Sequence, residues 1–107
     1  MVDAQLIEKA GRLLMEAAPP GSGVILFGSH ARGDARDDSD VDFLVVEPQV
    51  HDKNAEMVRT RDVLRPLRIP AEVLVTSRHT FERWRDTPNN VLHEAHREGQ
   101  VLRAVVG

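Results

Sequence analysis

With 107 residues, 41% of them hydrophobic and 29% charged, the chain has the make-up of one folded domain, too short for two cores and too apolar for disorder. A net charge of −3 and an aromatic content of 4% disfavour a nucleic-acid binder that relies on a basic surface or on stacking platforms, but leave room for a small anionic ligand that brings its own metal ions. There is no cysteine, so neither a disulfide framework nor a thiolate metal site is available.

The opening "MVDAQLIEKAGRLL" carries an acid at Asp3 and lacks the unbroken apolar region of a signal peptide. Strictly apolar runs stop at four residues, far short of a membrane span, and the expected location is the cytoplasm. From Ala4 to Ala17 the apolar residues Leu6, Ile7, Ala10, Leu13, Leu14 and Ala17 recur at steps of three and four, which predicts an amphipathic helix with Asp3 as its N-cap. "PPGSG" breaks it. Val24–Phe27 reads as a short buried strand and Val41–Val46 as a second, ended by Pro48.

His51 to about Arg65 is helix-friendly, with Met57, Val58, Leu64 and Val63 as its expected buried side and Pro66 as its stop. "AEVLVT" (Ala71–Thr76) is the third strand, and Ser77 is placed to cap a short helix reaching Arg85. Thr87-Pro88 resembles an N-cap followed by proline at the first helical position, predicting a last helix that Gly99 closes. "VLRAVV" is a candidate edge strand. Helices alternating with strands predict a small α/β fold: one domain over residues 1–107, with a short three- to four-stranded mixed sheet covered by helices.

The informative stretch is "VILFGSHARGDARDDSDVDFLVV", in which two oily runs flank a loop with two glycines, two serines and five aspartates. Gly28 and Gly33 have the spacing of a P-loop, but Asp34 and Ala35 stand where its lysine and hydroxyl residue belong, and an aspartate there repels phosphate. A different phosphate device survives. Gly28 lets the backbone approach a ligand closely, and Ser29 adds a hydroxyl; if a helix opens at that residue, its free N–H groups favour an anion. Taken alone, Gly-Ser is equally an ordinary turn with a serine cap.

The acids add to this. On an extended strand Asp40 and Asp42 project to one side, about 7 Å apart at the backbone. Glu72 is the one acid in "IPAEVLV" and completes a cluster if the strands are neighbours. Hard oxygen ligands of this kind suit Mg²⁺, which commonly binds through one or two carboxylates plus substrate phosphates. Two such ions could clamp the attacking and leaving oxygens of a phosphoryl-type transfer. The plain alternative is three acids at solvated strand ends.

Gly28-Ser29, ten residues, then Asp40-Val41-Asp42 resembles the signature of the nucleotidyltransferase superfamily related to DNA polymerase beta. "GSHARGDARDDSDVDFLV" is especially similar to its minimal bacterial branch, the MNT-domain proteins. "IPAEVLVTSRHTFERW" is similar to the family's third-strand segment and "VLHEAHREGQVL" to its closing helix and strand. The resemblance implies that Gly28 and Ser29 contact the triphosphate and that Asp40 and Asp42 bind Mg²⁺. It places Glu72 at the third acid, where the family usually has aspartate, holding the catalytic metal and helping to activate an acceptor hydroxyl.

The same resemblance implies transfer of AMP from ATP, with release of diphosphate, to a hydroxyl of a partner protein. In the minimal branch that partner is a HEPN-type toxin, and the transferase is its antitoxin, modifying it typically on a tyrosine. Two rivals remain: transfer to a small molecule, as in antibiotic-modifying relatives that carry a further domain for the acceptor, and a binding module that neutralises its partner by contact alone. The chain is expected to spend its length on the nucleotide-binding core, and crowded carboxylates are of no use to a pure binding module. Neither a membrane nor stable nucleic-acid binding is expected.

Other residues stay in the background. Arg32 either steadies phosphates through its donor fork or pairs with Asp34, Asp37 or Asp38. Asp37 and Asp38 read as a solvated turn. His93 and His96 lie one helical turn apart without a third ligand in view, and read as a solvated face. Trp84 is expected to anchor the penultimate helix. Arg59, Arg61, Arg65 and Arg68 read as a mixed surface beside Glu56 and Asp62.

Overall fold

The computed structural model describes residues 2–104. Helix α1 (Ala4–Ala17) begins at Asp3, whose carboxylate accepts the Leu6 N–H at 2.8 Å. It leads into β1 (Gly23–Phe27), a single turn α2 (Ser29–Arg32) and β2 (Val41–Glu47). Then come α3 (Lys53–Val63), a 3₁₀ turn at Arg65–Leu67 and β3 (Ala71–Ser77). The chain closes with α4 (Arg78–Trp84), α5 (Val91–Glu98) and β4 (Gln100–Arg103).

The four strands form one mixed sheet in the order β3-β2-β1-β4, with β2 and β3 parallel and the other neighbours antiparallel. The expected α/β fold and sheet are therefore present. The edge-strand expectation at "VLRAVV" is met over the segment that β4 covers, and Val105 and Val106 lie outside the described residues. Strand alternation splits the core into two layers. Val24, Leu26, Phe43, Val45, Val73 and Val75 face Ala10 and Leu14 of α1 and, beyond α3, Leu64. Ile25, Phe27, Leu44 and Val46 face Phe81 of α4 and Ala95 of α5. Among the described residues no helix is long and apolar enough to cross a membrane.

Three local expectations need correcting. α3 starts at Lys53 behind Asp52, whose side chain accepts the Ala55 N–H at 3.1 Å. Its Val58 is 48% exposed; the fully buried residue is Thr60, which satisfies its hydroxyl on the Glu56 carbonyl at 2.8 Å. The last helix is capped by Asn90, not Thr87, because the Thr87 N–H closes a turn onto the Trp84 carbonyl and Asn89 takes a positive φ of 69°. Trp84 is 42% exposed, with the Arg83 guanidinium over its ring, and Phe81 anchors α4 instead.

Candidate active site

β1 and β2 end and begin side by side, so the register sets Phe27 opposite Asp42, and on the other side of β2 sets Asp42 opposite Glu72. The loop after β1, the first acid-bearing positions of β2 and the start of β3 thus line up across one end of the sheet. Alternation puts Asp42 and Glu72 in the same rows as Leu44 and Leu74, on the α4–α5 face.

Gly28 takes φ 76°, a conformation that costs other residues, and a Cβ there would sit 2.2 Å from Oδ2 of Asp42. The glycine therefore makes room for the aspartate itself. Ser29 opens α2, and His30 reaches from the same turn to the Ser39 carbonyl at 3.2 Å, tying the loop down just before Asp40. The Val41 N–H donates to the Pro70 carbonyl at 2.8 Å, which fixes the start of β2 against the start of β3. His30 was not singled out by sequence reasoning, although its place inside the Gly-Ser motif was visible.

Asp42 is half-buried, whereas Asp40 and Glu72 are exposed. The Asp42 carboxyl is pushed up to about 6 by burial first, then by the charges of Glu72 and Asp40, a hydrogen bond with Glu72 and the charge of Glu94 on α5. Glu94 joins the site only through the packing of α5 on the sheet, which no local pattern announces. Among the described residues, no three His, Cys, Asp or Glu side chains converge into a ready-made metal cage. The donor set still suits a divalent cation. A carboxyl raised by neighbouring acids, as that of Asp42 is, is what a dication relieves, and Mg²⁺ needs only one or two carboxylates beside substrate phosphates. Asp40, Asp42 and Glu72 are the residues that would hold it.

Arg32 points to α5. Its guanidinium lies 3.3 Å from Asp34, 3.2 Å from Glu94 and 3.3 Å from Glu98. A phosphate would have to compete with those three carboxylates. Asp37 and Asp38 sit in an exposed turn that is closed by the Ser39 hydroxyl accepting the Arg36 N–H at 2.8 Å. His93 and His96 are engaged separately: His93 Nδ1 lies 2.8 Å from the Arg85 carbonyl, and His96 meets the Phe81 ring edge-on.

A profile of the nucleotidyltransferase domain family matches residues 8–98, from within α1 to the end of α5. The chain belongs to the nucleotidyltransferase domain family. Two solved structures share the nucleotidyltransferase fold. One, described as a nucleotidyltransferase from Sulfolobus solfataricus, is 20% identical with a TM-score of 0.61, over 91% of this chain and 76% of its own. The other, a toxin–antitoxin structure with AMP-PNP, is 19% identical with a TM-score of 0.66, over 92% of this chain and 73% of its own. No curated protein matches significantly.

Proposed function

We propose that this nucleotidyltransferase uses Mg²⁺ to transfer AMP from ATP to a hydroxyl of a partner protein, and that it is the antitoxin of a pair whose toxin is of the HEPN type. The observation that carries the reading is the line Gly28–Asp42–Glu72 across the end of the sheet, with Gly28 shaped to the Asp42 carboxylate and Glu72 in register beside it. The likeness to a toxin–antitoxin structure with AMP-PNP supports a toxin as partner and an adenine nucleotide as donor.

In this reading the triphosphate lies toward Gly28 and Ser29, where backbone N–H groups at the start of α2 receive it. Asp40 and Asp42, with Glu72 on the acceptor side, would hold the cations, up to two, which would supply charge neutralisation at the phosphates. Glu72 faces the acceptor. The acceptor oxygen bonds to the α-phosphorus in line as the bond to the departing diphosphate breaks, and the hydroxyl proton passes to Glu72. Such chemistry consists mainly of positioning and electrostatics, so its sensitivity should concentrate in these acids.

The test is to incubate the chain with ATP labelled at the α-phosphate, Mg²⁺ and the protein encoded beside it, then locate the label by mass spectrometry. Label on one hydroxyl of that protein, lost when Asp42 is neutralised, is the expected result. Full neutralisation of the unlabelled partner by an Asp40→Asn, Asp42→Asn double variant would establish the contact-only reading instead.

A further inference from the structure

The turn that carries the phosphate motif has little to hold it from within. α2 is a single turn of four residues, none of them buried, and Gly28 ahead of it supplies no side-chain cap. One turn of helix does not stand on its own hydrogen bonds. On one side it is tied by His30 to the Ser39 carbonyl. On the other it is tied from the far end of the chain. The Arg32 guanidinium reaches Glu94 at 3.2 Å and Glu98 at 3.3 Å, carboxylates one helical turn apart on α5. Just past α5, the Gln100 side-chain amide donates to the Ala31 carbonyl at 3.2 Å. Gly99, between them, lies so close to β1 that a Cβ there would stand 2.5 Å from Ile25 Cγ2 and 3.0 Å from the Leu26 carbonyl oxygen. Gln100 then pairs with Leu26, shortly before Gly28.

We propose that the α5–β4 junction is a clasp that positions the phosphate turn. Glu94 and Glu98 hold Arg32, Gln100 holds Ala31, and Arg32 is a positioning residue and not a phosphate ligand. The inference rests on the transfer reading only in giving the turn a triphosphate to receive. Three acids, Asp34 included, surround one guanidinium, so its donor fork is occupied before any nucleotide arrives. The two links are chemically independent, one an ion pair and the other a neutral amide bonded to a carbonyl, yet they converge on consecutive residues of the same turn. Both start from the stretch that Gly99 lets pack onto β1, the strand that feeds Gly28. A small displacement of the turn is enough to misplace the groups that meet a substrate. If Arg32 instead swung to the phosphates, Glu98 would compete with the nucleotide. The two accounts therefore give opposite signs to the loss of the Glu98 charge.

Glu98→Gln, Gln100→Ala and Arg32→Gln are compared with the parent at about 0.15 M salt, where the field of an exposed charge is largely screened. The first measurement is millisecond amide hydrogen exchange in the nucleotide-free protein. The amides of Ala31, Arg32 and Gly33, bonded within the turn, should exchange about three- to fivefold faster in Glu98→Gln and Gln100→Ala, with α1 and β2 unchanged. The second is affinity for a non-hydrolysable ATP analogue with Mg²⁺. It should fall about three- to fivefold in those two variants and about tenfold in Arg32→Gln, while AMP transfer at saturating ATP stays within about twofold of the parent. Combining Arg32→Gln with Glu98→Gln should add little to Arg32→Gln alone, since both break one link. Unchanged or tighter nucleotide binding in Glu98→Gln, with binding weakened in Arg32→Gln, would make Arg32 a phosphate ligand and overturn the proposal. Unchanged exchange at the turn would overturn it too, whether or not nucleotide binds. A parent protein that binds no ATP analogue, or transfers no AMP, overturns the transfer reading alone, and the exchange rates then decide the clasp.

Discussion

The two ends of β2 carry acids in opposite circumstances. At its start, Asp42 is crowded by Glu72 and Asp40 at an open face, and its carboxyl rises to about 6. At its end, Glu47 is 2% exposed, and its carboxyl rises to about 7 through burial and then a hydrogen bond to Glu56, with the nearby Arg59 guanidinium opposing. Glu56 is held below the usual carboxylate range, chiefly by Arg59. Below about 7 the proton therefore resides on Glu47, which donates to the Glu56 carboxylate. Arg59 completes the link by donating to the Ala17 carbonyl at 3.0 Å, joining α1, α3 and the sheet. One strand thus holds a carboxylate crowded by other acids at an open face and an enclosed one that keeps its proton up to about 7. A raised carboxyl alone does not mark a site: the neighbours of Asp42 are acids at an open face, whereas Glu47 is enclosed beside Glu56 and Arg59, its Oε2 without a hydrogen-bond partner among the described residues.

That contrast can be broken first at the exposed acid. Asp40→Asn should lower AMP transfer by at least ~10²-fold while leaving the melting temperature nearly unchanged, because the side chain is solvated and its role is electrostatic. Transfer rates and melts on one preparation check both halves. Glu72→Gln should then reduce turnover far more than ATP affinity, and Glu72→Asp should keep substantial activity. Equal losses of ATP affinity in Glu72→Gln and Asp40→Asn would dissolve the division between nucleotide and acceptor sides.

A smaller effect is expected at the phosphate loop. Ser29→Ala removes one hydrogen bond to a charged group, worth about 1.5–3 kcal/mol, so ATP affinity should fall about tenfold or more by titration calorimetry. Gly28→Val should be worse, since its Cβ would also displace the Asp42 carboxylate.

The smallest effect belongs to the structural end and should appear in stability alone. Glu47 keeps its proton in the folded chain up to about 7, while the unfolded chain loses it near 4.5. Its stabilising contribution is therefore complete below the unfolded value and is lost as pH rises through the folded one. Glu47→Gln stays neutral at every pH. It should melt about 5 °C higher than the parent at pH 8 and show little difference at pH 4, as thermal scans across that range would reveal.

Much of this was visible in the chain. Periodicity located every strand and most helices, and the Gly-Ser and Asp-Val-Asp spacing drew attention to the residues that the register then aligned. What escaped depends on contacts distant in sequence. Thr60 looks polar and Val58 apolar, yet α3 buries the first because its hydroxyl returns to the Glu56 carbonyl. Glu47 reads as the polar exit of a strand until α3 packs over it. Thr87-Pro88 has the chemistry of a helix start, but the turn onto Trp84 uses it and Asn90 caps α5. Gly28 was legible as a close approach, though its nearest neighbour is Asp42 and not only a ligand. Glu94 reaches Arg32 and influences Asp42 from the far end of the chain.

The central claim is that the start of β2 performs the transfer and its end only holds the fold. Single-turnover transfer from α-labelled ATP, measured side by side at pH 7.5 for Asp42→Asn and Glu47→Gln, tests it most directly. The account predicts a loss of at least ~10²-fold for the first and a rate within about twofold of the parent for the second. Near-normal transfer by Asp42→Asn, or an equal collapse in Glu47→Gln with its fold intact, would contradict it.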